Sequence, residues 1–162
     1  MLLSEIRAAA IAPALALLPA RMNTPAAEVM LLTIGLQESG LIHRRQIGGP
    51  ARGWWQFEQG GGVAGVLRHP ESAGYARGVC TARRVSPEPG IVWAELEHND
   101  ILAAAFARLL LWTDPAPLPE VGEVAKSWDY YQRCWRPGKP HRQRWDACYA
   151  QAMDALAGGM LA

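Results

Sequence analysis

Residues 31–58 read LLTIGLQESGLIHRRQIGGPARGWWQFE. The apolar run that begins at Val29 has the density of a buried helix, and it ends in Gln37-Glu38-Ser39-Gly40. Glycine stops a helix because it enters the left-handed C-terminal conformation without a Cβ penalty. Glu38 therefore falls in the last turn of an apolar helix. The partial negative charge of that helix end disfavours a carboxylate there, and burial disfavours it further. Both effects raise the pKa, and a carboxyl that keeps its proton toward neutral pH is what a general acid requires. The plainer reading of the same residue is a solvated glutamate at a frayed helix end.

The residues that follow Glu38 add to the acid reading. Residues 48–53 form a Gly/Pro-rich loop, and Trp54-Trp55-Gln56-Phe57 reads as a short aromatic strand. Neighbouring strand residues face opposite ways. One tryptophan would then pack inward while the other turns a flat face to a cleft, where a sugar ring could stack. Gln56 offers both a donor and an acceptor.

The rest of the chain reads as helices. Residues 3–12 form a first helix, extended or kinked at Pro13. Its resemblance to a signal peptide is superficial, because Glu5 stands where basic residues belong and Pro13 and Pro19 break the apolar run. Thr24-Pro25 caps and opens the central helix that delivers Glu38. Gly60-Gly61-Gly62 marks a flexible joint. Short helices are predicted over 63–69, 71–84 and 91–98, and Asn99 caps an apolar helix over 100–112. The last two helices cover 120–134 and 141–156, the second ended by Gly158-Gly159, with Trp145, Tyr149, Ala152 and Leu156 on one core-facing stripe. The sum is a mainly α chain with one small β element, organised as a single domain.

Composition narrows the function classes. The chain has 162 residues, 19% charged and 50% hydrophobic, which is the make-up of a folded domain. A net charge of +1 speaks against nucleic acid, whose binders carry a basic excess. His43-Arg44-Arg45 reads as a solvated loop. No segment is long and unbroken enough to span a membrane. The three cysteines, Cys80, Cys134 and Cys148, have no metal-type spacing, so no metal or cofactor is expected. They read as free thiols, with a Cys134–Cys148 bridge open to a chain that works outside the cell.

Glu38-Ser39 followed by Gly53-Trp54-Trp55-Gln56 resembles the glutamate-serine and Gly-Leu-Met-Gln motifs of soluble lytic transglycosylases, the lysozyme-like family that includes goose-type lysozyme. The resemblance runs over residues 24–135. Residues 99–111 are similar to the family's next helix. The segment Ala125-Lys126-Ser127-Trp128-Asp129-Tyr130-Tyr131 falls where the family has Ala-Tyr-Asn. The whole looks most like short lysozyme-like proteins of bacteriophages.

That resemblance implies a lysozyme-like fold and cleavage of the β-1,4 bond between N-acetylmuramic acid and N-acetylglucosamine. Glu38 would be the general acid and then the base, supported by Ser39. The family's tyrosine aligns with Trp128, and a shift in register brings Tyr130 or Tyr131 into its place. Transglycosylases need one protein carboxylate. A muramidase would need a second, for which Glu58 is the candidate, where the family has an apolar residue or proline. A pair about 5–5.5 Å apart would be retaining, and about 6.5–9.5 Å would leave room for a water. The implied partners are peptidoglycan strands at the cell wall, and virion proteins if the chain is carried in a phage particle. Two other readings remain open: a non-catalytic glycan-binding or structural virion module, and a chitin-directed glycosidase.

Overall fold

Proline at position 13 removes a helical N–H donor and crowds the preceding turn. The chain accommodates it with one wide turn. Helix α1 (Leu3–Ile6) opens into a π turn (Arg7–Ile11), where the Ala12 N–H reaches back five residues to the Arg7 carbonyl, and then continues as α2 (Ala12–Ala16). The first helix is therefore extended past Pro13. The computed structural model describes residues 1–160.

Helix α3 (Pro25–Ser39) begins and ends where its sequence says it should. Thr24 Oγ1 accepts from the Ala27 N–H at 3.1 Å, and Pro25 occupies the first turn. At the other end Gly40 takes φ +66, and its N–H bonds the Leu36 carbonyl. Leu41 is also left-handed, at φ +54. Its N–H caps the Gly35 carbonyl at 3.2 Å and its side chain folds back over Gly35, where a Cβ would lie 2.3 Å from Leu41 Cδ2.

The remaining helices are α4 (Ala64–Arg68), α5 (Ala73–Ala82), α6 (Pro89–Glu95), α7 (Asp100–Trp112), α8 (Val124–Trp135) and α9 (Arg142–Met160). Asn99 caps α7 through the Leu102 N–H at 3.1 Å. One buried cluster runs through the chain: α3 lies along α9, and α7 packs on α2 and α5. The expected stripe on α9 is core, with Trp145 and Ala152 fully buried. Among the described residues no helix is long and apolar enough to cross a membrane.

Four expectations are corrected. The aromatic strand is a turn: Arg52 and Phe57 exchange both backbone hydrogen bonds at 2.9 Å, and the four residues between them reverse the chain. Gly53 at φ +73 and Gln56 at φ +52 make this bend, the second held by its own side-chain amide on the Gly53 carbonyl at 2.8 Å. Both Trp54 and Trp55 are buried in this reversal. Helix α9 does not stop at Gly158-Gly159, because Arg7 clamps its last turns. Arg7 pairs with Glu28 on α3 at 2.8 Å and donates to the Ala155 carbonyl at 2.5 Å, and Gly159 leaves room for its guanidinium.

The basic loop is not merely solvated. Arg44 pairs with Asp100 and lies 4.2 Å over the Trp54 ring, while Arg45 and Arg52 share Glu97. The three glycines enter a helical turn (Gln59–Val63) kinked at Gly61, whose ψ of −105 no helix adopts. The three thiols are free, so Cys134 and Cys148 are not bridged.

Gly53 is the tightest point of this arrangement. A Cβ there would meet the Leu96 carbonyl oxygen at 2.6 Å in a left-handed backbone. Gly53→Ala should cost about 2–4 kcal/mol from conformation and overpacking together, read as a lower midpoint in urea unfolding with an unchanged slope.

Candidate functional site

The site is built from two helix ends and the tryptophan turn. Ser39 joins the end of α3 to the turn: its Oγ donates toward the Trp54 carbonyl at 2.6 Å and accepts from the Leu41 N–H at 3.1 Å. Trp55 drives its indole into α3, donating to the Leu31 carbonyl at 2.8 Å, and its own carbonyl accepts from Trp135 Nε1 on α8 at 2.9 Å. Gly35 is bare where this indole lands. The turn is thus wedged between α3 and α8, and it sets how the two helices face each other.

Across that gap Tyr131 Oη donates to Glu38 Oε1 at 2.5 Å, a bond between residues 93 apart in sequence. Of Trp128, Tyr130 and Tyr131, it is Tyr131 that bonds Glu38. Trp128 lies one turn before it on the same helix face, buried behind it, with ring centroids 5.5 Å apart. Tyr130 points elsewhere, its hydroxyl 2.9 Å from the carbonyls of Leu111 and Ala116. Tyr131 stacks on Trp145 of α9 at 4.8 Å and 21° and leans on Trp135 at 6.2 Å. Such packing leaves the phenol one orientation, the one that meets Glu38.

Glu38 is half-buried, and loss of water around its carboxyl raises its pKa above the ordinary 4.5. The Tyr131 hydrogen bond and the charge of Arg144 on α9 act in the opposite direction. Arg144 also donates to the Leu36 carbonyl at 3.4 Å, at the helix end that carries Glu38. Burial and the neighbouring Glu38 charge push the Tyr131 hydroxyl well above the usual phenol range, so it remains a neutral donor. An acid with a raised pKa, a fixed donor on one oxygen and a cation nearby can give up a proton and then hold the resulting carboxylate.

Glu58 does not belong to this arrangement. It is exposed and lines a separate open cavity of about 950 Å³, together with Gln56, the glycine turn, Trp135 and Arg136. Glu38 is not among the residues around that cavity, and among the described residues no second carboxylate contributes to its electrostatic surroundings. Trp54 and Trp55 are buried wedges with no face turned to a cleft. Sequence reading missed Arg144. It lies two residues from the start of α9, and nothing local ties it to a glutamate 106 residues earlier.

Comparison of the chain with protein-family models, with curated proteins and with solved structures finds no match in any of the three.

Linkage makes the perturbed carboxyl measurable in the bare protein. Below pH 4.5 the folded and unfolded chains both carry the Glu38 proton and the group is neutral in its effect. As pH rises past 4.5 the unfolded chain ionises first, so Glu38 costs stability, in full above its folded pKa. Glu38→Gln keeps an oxygen for Tyr131 and removes that cost. It should be more stable than the parent in urea at pH 7, with the gap closing toward pH 4. Equal stability at both pH values would mean that the carboxyl titrates normally.

Proposed function

We propose that the chain is a peptidoglycan-cleaving glycosidase of the single-carboxylate, lytic-transglycosylase type, acting on the β-1,4 bond between N-acetylmuramic acid and N-acetylglucosamine. The observation that carries this reading is the Tyr131–Glu38 hydrogen bond. It joins the helix-end glutamate to an aromatic hydroxyl from the segment where the sequence resemblance expects one. Glu38 protonates the glycosidic oxygen as the bond to C1 breaks. The carboxylate left behind is held by the Tyr131 hydroxyl and the Arg144 charge. It then takes the proton of the muramyl 6-hydroxyl as that oxygen closes on C1, which gives a 1,6-anhydro product. The acid and base roles are one group acting twice.

A two-carboxylate muramidase is less well supported. Glu38 has a tyrosine and an arginine as its named neighbours and no second acid, and Glu58 lines a different cavity. Mass spectrometry of fragments released from purified peptidoglycan tests the choice. Products ending in 1,6-anhydromuramic acid, absent with Glu38→Gln, are the expected outcome. Reducing-end products one water heavier would move the reading to a hydrolase. No products, on walls that a control lysozyme digests, would overturn it in favour of a non-catalytic module.

Tyr131→Phe supplies a second test. It removes a hydrogen bond that favours the ionised carboxyl, so Glu38 should hold its proton to higher pH. The alkaline fall of kcat/KM, where the general acid is lost, should therefore move to higher pH. The maximal rate should drop about tenfold with the loss of one charged hydrogen bond.

A further inference from the structure

We propose that the cavity of about 950 Å³ between the glycine turn and α8 is a binding site for a short peptide carrying both a free carboxylate and a free ammonium. Its wall holds full charges of both signs. Glu58 and Asp114 are the acids, and Arg133 and Arg136 are the bases. Arg133 and Asp114 are already paired at 2.9 Å. Arg136 has no ion-pair partner among the described residues. It is exposed and held at the cavity by a left-handed backbone at φ +50 directly after α8. Glu58 is likewise exposed and unpaired. One free anion and one free cation on a shared wall match a ligand that carries the opposite pair.

A neutral sugar fits this cavity less well. Saccharides are gripped by exposed aromatic faces, and the two aromatic residues here are packed into the aromatic cluster. Phe57 is buried and meets Trp135 edge-on at 5.9 Å, and Trp135 also leans on Tyr131 at 6.2 Å.

The floor is bare at positions where packing does not demand it. A Cβ at Gly60 or Gly65 would meet nothing within 4 Å, and at Gly61 only Glu58 Cβ, at 3.7 Å. Gly62 differs, since its Cβ would strike the Phe57 ring at 2.7 Å. Gly65 lies inside α4, where glycine is less stable than alanine. Open space above these glycines lets a ligand backbone approach closely.

Which peptide this is rests on the reading of Glu38. If the chain cleaves peptidoglycan, the stem peptide on muramic acid has this chemistry, and Trp135 on the cavity wall leans on the same Tyr131 that meets Glu38. The test uses the whole chain, ¹⁵N-labelled, titrated separately with the tripeptide alanyl-γ-glutamyl-lysine and with chitotetraose. The amides of Gly60, Gly61 and Gly65 should shift with the peptide and not with the sugar. Arg136→Asn, which tolerates the left-handed backbone, should weaken peptide binding about tenfold, the loss of one charged contact. Gly65→Leu, which fills open space, should abolish it.

Shifts from chitotetraose alone, or from neither ligand, would overturn the proposal. So would peptide binding indifferent to both variants. Glu38→Gln should bind the peptide as the parent does. A chain that binds peptide but cleaves no wall would sink the function proposed above and leave this site standing.

Discussion

Trp55 is the residue on which the arrangement of helices depends. Its indole N–H is buried against the Leu31 carbonyl, and its backbone carbonyl takes the indole N–H of Trp135. Each is a buried polar group that would be costly to leave unpaired. Together they fix the spacing of α3 and α8 through a single residue. Gly35 gives the indole room and Gly53 lets the chain turn against Leu96. With α9, which packs on α3 and stacks Trp145 on Tyr131, that wedge holds the two helices where Tyr131 Oη meets Glu38. The geometry of the acid is therefore set by a residue that does not touch it.

The chemistry of Glu38 arises from competition. Burial alone would leave a carboxyl that never ionises, and full exposure would leave one that never holds its proton. The structure places it between these limits, with desolvation raising the pKa and a phenol and a guanidinium lowering it. The aromatic cluster behind Tyr131 takes part, since Trp128, Trp135 and Trp145 remove water from the same volume in which they orient the hydroxyl. The role proposed for Glu38 needs such a balance, because a general acid crosses between two protonation states in one cycle and neither can be too costly.

What could be read from the sequence was what is decided locally. The threonine and asparagine caps, the glycine stop of α3 and the position of Glu38 all follow from a few adjacent residues, and the structure keeps them. The turn at Trp54-Trp55 could not be read, because its second bend rests on Gln56 in a left-handed conformation, for which glutamine has no preference. Choosing among Trp128, Tyr130 and Tyr131 needed the rotational phase of α8, which begins at Val124, four residues after the expected start. With about 100° of rotation per residue, an error in phase changes which side chain faces Glu38. Arg144 and the Arg7 clamp that carries α9 through its glycines depend on contacts across most of the chain, and no short pattern announces them.

The bond from Tyr131 to Glu38 closes a loop of 93 residues. Contacts that distant form late in folding, because the entropy of closure must be met before they contribute. During synthesis α3 is complete long before α8 has been made, and until then Glu38 lacks both the hydroxyl and the aromatic wall that alter it. Its carboxyl in a nascent chain is that of any glutamate, without the upward shift that burial imposes in the fold. The site is thus assembled in the order of translation: Glu38 stays an ordinary glutamate until α8 has been made and can reach it.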